Sequence, residues 1–283
     1  MVRLLSEWLP RTESLRPGRL AAAALDLLLP PTCILCSASV DAPGLLCGAC
    51  FGGLSAIGEP CCHCCGAPFE LAWHAIEGGL CQRCIDTPPP FERARAALNY
   101  DKASRRLVLP FKHGDRTEFA VILARLMARA GAQLLRDADI IVPVPLYRRR
   151  LFVRRYNQAA LLARELGRMT GRSAILDALT RGRATATLGR KSAAERRDEV
   201  AGAFAVRARR ANLLSGRRIL LIDDVMTSGA TAAACGDCLL EAGAAAVDVL
   251  VAVRVPDPRL ASGARRSGRR RKRRPSMPVA EPV

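Results

Sequence analysis

Aromatic residues are scarce in this 283-residue chain, at 4% of the total, with two Trp, three Tyr and seven Phe. Half of the residues are nevertheless hydrophobic, so a core has to be built from aliphatic side chains and alanine. The same scarcity weakens any reading as a platform that stacks single-stranded bases, which needs exposed rings. Acidic residues are in deficit as well. The 26 Asp and Glu stand against 44 Lys and Arg, for a net charge of +18. That balance points to anionic partners, whether nucleic acid, an anionic surface or a phosphorylated small molecule. Long apolar runs are missing too. The best, Leu20 to Leu29, spans ten residues, contains Asp26 and stops at Pro30-Pro31. It is far short of the ~20 residues a spanning helix needs, and no small-residue cleavage site follows it. It reads as a short amphipathic helix in an N-terminal extension over 1–30. No membrane partner is expected, and the cytoplasm is the expected compartment.

Cysteine, by contrast, is plentiful and unevenly placed. Ten of the twelve precede residue 85, with Cys235 and Cys238 far downstream. In a reducing compartment, clustered cysteines bind metal more often than they pair. The cluster contains four CxxC knuckles: Cys33/Cys36, Cys47/Cys50, one within Cys61-Cys62-His63-Cys64-Cys65, and Cys81/Cys84. Eight thiolates suffice for two tetrahedral zinc sites. The third knuckle is ambiguous, because Cys61/Cys64 and Cys62/Cys65 share the spacing. Gly66 favours Cys62/Cys65, since such a knuckle often ends on a residue with positive φ. The simplest grouping is sequential, Cys33, Cys36, Cys47 and Cys50, then Cys62, Cys65, Cys81 and Cys84; an interleaved one stays open. This makes residues 31–86 a double zinc ribbon, which loss of zinc should unfold while the following domain stays folded. His63 and His74 are surplus to the ligand sets. Cys235 and Cys238, one turn apart on a predicted helix, read as buried helix-face residues.

The densest chemistry lies near the C-terminal end. Ile219 to Ile222 has the pattern of a strand buried on both faces. Asp223 and Asp224 follow at its expected solvent-facing end, then the small-residue loop Thr227-Ser228-Gly229-Ala230-Thr231. A helix is predicted over Thr231 to Ala242, with Gly243 as its C-cap. Such a loop at a helix N-terminus turns backbone N–H groups toward one anion and favours phosphate. Carboxylates do not bind phosphate, but vicinal sugar hydroxyls, as donors, suit them.

Between these two regions, Pro88-Pro89-Pro90 reads as a rigid linker before an α/β domain over 91–256. Strands are predicted at Ala96 to Tyr100, Ile140 to Pro145, Ala174 to Leu176 and Val247 to Val253. Helices are predicted over Phe119 to Leu135 and Asn157 to Gly171. Phe111 to Arg116 reads as a polar turn, with His113 a turn residue. Arg148, Arg149, Arg150, Arg154 and Arg155 follow a strand end, where ligands bind in α/β sheets. Residues 181 to 197 are polar and aperiodic. A disordered basic tail is expected over 257–283, with eight basic residues between 265 and 274.

LLIDDVMTSGAT closely resembles the motif with which type I phosphoribosyltransferases bind phosphoribosyl pyrophosphate (PRPP). VPVPLYRRRLFVRRYNQAALLA and FKHGD are similar to the ComF family, whose members join a cysteine-rich zinc module to a phosphoribosyltransferase domain. The resemblance covers roughly residues 25 to 255. It implies a type I phosphoribosyltransferase-like parallel sheet flanked by helices. It also implies that Asp223 and Asp224 hold the ribose hydroxyls and Thr227, Ser228, Gly229, Ala230 and Thr231 the 5′-phosphate. Pro145, Leu146, Tyr147 and Arg148 correspond to the pyrophosphate loop, Mg2+ accompanies PRPP, and residues 181–197 resemble the loop that closes over it. The activity implied is phosphoribosyl transfer to an acceptor that no residue identifies. The alternative is a non-catalytic nucleic-acid-binding factor in DNA uptake or recombination. That factor would use the ribbons and the basic tail, with single-stranded DNA and competence or recombination proteins as partners.

Overall fold

An uninterrupted apolar strand has to be covered on both faces, and the two longest such runs lie side by side within one parallel sheet. The computed structural model describes residues 30–69, 71, 75, 77–183 and 193–256. The expected N-terminal helix, the basic tail, His74 and residues 184–192 of the expected closing loop lie outside the described residues. The chain divides into two compact units, Met1–Leu54 and Ser55–Val283.

In the first unit, the Ser37 N–H donates to the Cys33 carbonyl (2.9 Å) and the Cys33 N–H to the Ala38 carbonyl (2.6 Å), making a tight knuckle. The chain then reaches the short helix α1 (Gly48–Gly52). The second unit begins with α2 (Gln82–Asp86), β1 (Arg93–Asn99), α3 (Lys102–His113), α4 (Phe119–Ala130), α5 (Ala132–Asp137) and β2 (Ile140–Pro143). It continues with α6 (Arg148–Arg154), α7 (Gln158–Thr170), β3 (Ser173–Ala174), β4 (Leu179–Arg181), α8 (Ala193–Val200) and β5 (Phe204–Val206). It ends with α9 (Ala208–Leu214), β6 (Arg218–Met226), α10 (Ala230–Glu241) and β7 (Ala246–Arg254).

The main sheet has the order β1-β7-β6-β2-β3, and every pairing in it is parallel. Helices α4 and α7 pack on one face; α10, α8 and β5 lie on the other. This is the expected α/β architecture of a phosphoribosyltransferase-like sheet. All nine residues of β7 are buried, including Asp248 and Arg254 near its two ends. Asp248 is fully buried and accepts from Arg93 (Nη2 to Oδ2, 2.6 Å) and Arg218 (Nη1 to Oδ2, 3.1 Å), tying β1, β7 and β6 together. A buried carboxylate is tolerated because it is paired and hydrogen-bonded. Arg93 is held above its ordinary pKa, chiefly by the hydrogen bond to Asp248.

The local signals explain most element ends. Asn157 caps α7 and Gly171 (φ 71°) ends it. The single helix expected over Phe119 to Leu135 is broken at Gly131, where a Cβ would lie 2.6 Å from the Leu250 methyls. Two further differences matter for function. The expected polar turn at Phe111 to Arg116 is partly helix: α3 starts from a reciprocal Asp101–Ser104 capping box and runs through Pro110 to His113. Strand β6 also passes the expected end at Ile222 and includes both aspartates. Its pairing with β2 stops at Pro143–Ile222, while that with β7 continues to Met226–Arg254. Proline closes the β2 side because it has no N–H for the ladder. Among the described residues no helix is long and apolar enough to cross a membrane.

Candidate functional site

The chain leaves β2 toward β3 on one side, and β6 toward β7 on the other. Their C-terminal ends therefore flank a point where strand order reverses, the place where open α/β sheets leave a crevice. A cleft of about 820 Å³ lies there, walled by Pro145 and Leu146 from the segment after β2, by Asp223 and Asp224 from β6 and by Thr231 from α10. Because β2 has departed, the two aspartates border the cleft on that side, while β7 still pairs with β6 on the other.

Successive residues of a strand face opposite ways. Asp224 meets Lys112 Nζ at 3.1 Å, and it is mostly buried at 8% exposure. Asp223 shares a face with Ile219 and Leu221. Its Oδ1 accepts from the Asp224 N–H at 2.8 Å. Burial and the adjacent Asp224 carboxylate push Asp223 up to about 8, with Lys112 opposing. The pair thus lies inside the strand, with Asp224 buried and Asp223 partly exposed to the cavities beside it.

Lys112 reaches the cleft because α3 ends there and is pinned. Tyr156 Oη donates to the Phe111 carbonyl (2.7 Å) and Gln158 Nε2 to the Lys112 carbonyl (3.3 Å). Asn157 does two tasks: Nδ2 donates to the Val144 carbonyl (3.0 Å), fixing the segment after β2, and Oδ1 caps α7 through the Ala159 N–H (3.1 Å). His113 also borders the cleft. Burial lowers its pKa, helped by Arg154 and Lys112, so it is biased toward the neutral form.

After β6, Gly229 adopts φ 77° and caps α10. A Cβ there would lie 2.8 Å from Met226 Cε, so glycine serves both the backbone and the packing. The first amides of α10 have no carbonyl one turn back, which leaves them for an anion. Thr227, Ser228, Gly229 and Ala230 enclose a smaller hollow that also reaches Asp223. Ser228 Oγ is buried without a hydrogen-bond partner.

The structure thus gathers Pro145, Leu146, Asp223, Asp224 and Thr231 around one cleft, with Thr227 to Ala230 forming the turn beside it. It does not bring Tyr147 and Arg148 to the cleft wall. Tyr147 caps α6 and Arg148 opens it. Once that segment is helical only some of its side chains can face one way, and among its described side chains Arg149 and Arg154 line the cleft, with Lys112 and Arg181. Lys112 escapes a sequence reading that treats it as part of a turn; the Asp101-x-x-Ser104 capping box was the available signal for the helix that carries it.

The cysteines assemble as two sets of four, Cys33, Cys36, Cys47, Cys50 and Cys62, Cys65, Cys81, Cys84, with all sulfurs of a set within 4.8 Å of one another. Tetrahedral zinc with Zn–S near 2.3 Å implies sulfurs about 3.8 Å apart. The Cys36–Cys47 and Cys65–Cys81 separations are 3.5 and 3.7 Å. Backbone N–H groups aim at the sulfurs as such knuckles require: Cys50 at Cys47 (3.5 Å), and Cys65 and Cys81 at Cys62 (3.5 and 3.3 Å). Each set could hold one zinc ion. Cys61 and Cys64 belong to neither set: Cys61 Sγ meets Glu59, and Cys64, packed beside the second set, donates from Sγ to the Phe91 carbonyl. Gly66 has φ 66°, and a Cβ on it would lie 2.3 Å from the Ala94 carbonyl oxygen. Cys235 is fully buried, and Cys238 Sγ donates to the Phe204 carbonyl at 3.2 Å.

Residues 24–88 match the family described as a double zinc ribbon domain. The chain is 37% identical over 177 residues to the DNA utilization protein YhgH of Escherichia coli K12, covering 60% of this chain and 75% of that protein. It is 30% identical over 205 residues to Competence protein F of Haemophilus influenzae, covering 70% and 86%. Among solved structures it is similar to the glutamine PRPP amidotransferase of B. subtilis at 20% identity, over 50% of this chain and 30% of that one, with a TM-score of 0.32.

Proposed function

Because the chain belongs to the ComF family, which couples a double zinc ribbon to a phosphoribosyltransferase-like domain, we propose that it binds PRPP in the cleft between β2 and β6. The observation that carries this reading is the Asp223–Asp224 pair on the cleft wall, where β2 has left β6, with the first amides of α10 in the turn that follows. In this reading the carboxylates accept hydrogen bonds from the ribose hydroxyls, and residues 227–231 hold the 5′-phosphate. Lys112, Arg149 and Arg154 face the pyrophosphate. Oxygen ligands beside phosphate oxygens suit Mg2+, which when bound offsets the charge of the departing pyrophosphate. In transfer, the bond from the anomeric carbon to pyrophosphate breaks, the electron pair leaves with pyrophosphate, and an acceptor nucleophile attacks that carbon. Fixed cations matter most where charge accumulates, on the leaving group.

A second reading has a specific support. The relatives are named for DNA utilization and competence, and a net charge of +18 favours polyanions. In it the chain, acting in the cytoplasm with competence or recombination proteins, binds single-stranded DNA through its ribbons and basic tail, and the cleft serves as a PRPP sensor. Calorimetry with PRPP and Mg2+, run beside a single-stranded DNA titration, separates the two. PRPP binding without DNA binding supports the transferase reading; DNA binding alone would sink it.

A further inference from the structure

The second cysteine set belongs to the same compact unit as the sheet, and its contacts converge on the turn that follows β6. Arg254, the last residue of β7, is 2% exposed. Its Nη1 donates to the Cys65 carbonyl (2.7 Å) and to Met226 Sδ (3.4 Å), and its Nη2 to Cys65 Sγ (3.5 Å). Met226 in turn lies directly beneath Gly229. On the other side of the cluster, Arg83, between ligands Cys81 and Cys84, donates from Nη2 to the Ser228 carbonyl. The knuckle is also stitched to β1, where the Ala94 N–H donates to the Cys64 carbonyl at 2.6 Å.

We propose that the second zinc cluster braces the phosphate-binding turn, with Arg83 and Arg254 as positioning residues that make zinc occupancy and turn geometry one cooperative property. A guanidinium keeps its charge in a protein, and a buried charge needs a counter-charge. The groups that accept from Arg254 are a carbonyl, a thioether and a thiolate ligand, none of them a carboxylate. Zinc held by four thiolates carries net negative charge, so the loaded cluster is the counter-ion of Arg254. Loss of zinc lets the thiolates that form that counter-charge disperse and frees the Cys81–Cys84 knuckle that aims Arg83. The Ser228 carbonyl and the Met226–Gly229 contact then lose their fixed supports. By linkage, a ligand that fastens the turn must also tighten zinc. The inference rests on the PRPP reading only for the identity of that ligand.

The test uses the full chain and two readouts. Hydrogen exchange is followed at the amides of residues 226–233, and zinc release is timed with a chromophoric chelator, with and without PRPP and Mg2+. Arg83→Met should speed exchange in the turn and release of one zinc ion by about tenfold, within the usual range for coupled sites. Arg83→Lys, which keeps one donor, should recover much of the wild-type behaviour. Zinc-stripped wild type should show the same faster exchange. Arg254→Met should act alike and more strongly; if it does not fold, the Arg83 pair still decides. Wild-type exchange and release rates in folded Arg83→Met would overturn the brace. If the rates change as expected but wild type binds no PRPP, the brace stands and the PRPP reading falls.

Discussion

Asp223 and Asp224 are neighbours with different surroundings, and the difference sets what each can do. Asp224 is paired with Lys112, whereas Asp223 is raised by burial and by Asp224. Asp224→Asn keeps the shape and removes the charge, at the loss of one charge-assisted hydrogen bond to a ribose hydroxyl. Such a bond is worth about 1.5–3 kcal/mol, so PRPP affinity by calorimetry should fall about tenfold or more. Equal affinities would reduce the acidic pair to a strand feature. Asp223 carries a pH signature. An acid whose folded pKa is raised stabilises the fold below its unfolded value, and that contribution is lost as pH rises through the folded value. Here the window runs from the ordinary carboxylate range to about 8. Urea unfolding of the apo protein should therefore show Asp223→Asn gaining on wild type between about pH 4 and about pH 8. A constant difference across that range would mean that Asp223 is ionised in the apo fold. Ligand binding that requires the ionised form should release a proton, visible as a buffer-dependent heat that Asp223→Asn lacks.

At the scale of elements, the sheet is fastened at one end and open at the other. Asp248 joins Arg93 and Arg218 across three strands at the end remote from the cleft. Breaking a buried pair costs about 3–5 kcal/mol where it leaves a charge uncompensated, but Arg93 also meets Asp137 and Arg218 also meets Glu92. Asp248→Asn should therefore cost less, about 1.5–3 kcal/mol for the weakened charge-assisted hydrogen bonds, in urea titrations. PRPP affinity of the folded fraction should stay at wild-type level, because no cleft residue touches Asp248. Loss of affinity in a folded, zinc-loaded variant would mean that the sheet transmits strain between its ends. Strands β6 and β7 were legible from their aliphatic runs. Helix α3 was not, because Pro110 and the following Lys-His-Gly-Asp resemble a turn, and α6 was hidden within an arginine run that reads as a solvated loop.

For the whole molecule, zinc and charge give the sharpest tests. Two four-cysteine sets predict two zinc ions per chain by elemental analysis; one or none would contradict the double ribbon. Chelation is expected to reach further than the ribbon, since residues 55–86 share a compact unit with the sheet. PRPP affinity should fall along with zinc content, contrary to the expectation of an untouched transferase domain. For the DNA reading, each phosphate neutralised on a single strand contributes about −0.7 to the log–log salt slope. Deleting residues 265–274 should flatten that slope in proportion to the number of phosphates the tail neutralises. An unchanged slope would remove the tail from DNA binding.

The sequence by itself determined the parts whose chemistry is local. CxxC spacing marked the four knuckles, and Gly66 favoured Cys62 and Cys65 over Cys61 and Cys64, because a knuckle is closed within four residues and often exits through positive φ. The aliphatic runs and the Asp-Asp and Thr-Ser-Gly-Ala-Thr series marked a sheet edge and an anion-binding turn, since strand burial and helix-terminus amides depend on consecutive residues. Tertiary structure alone decided what lies opposite them. Lys112 meets Asp224 because Tyr156 and Gln158 pin the end of α3, and Arg149 rather than Arg148 faces the cleft because α6 is helical. Asp223 and Asp224 border the cleft because β6 keeps pairing with β7 after its pairing with β2 has stopped at Pro143. Arg254 joins Cys65 to the turn because β7 ends beside the ribbon, a contact across 189 residues of chain that no local pattern encodes.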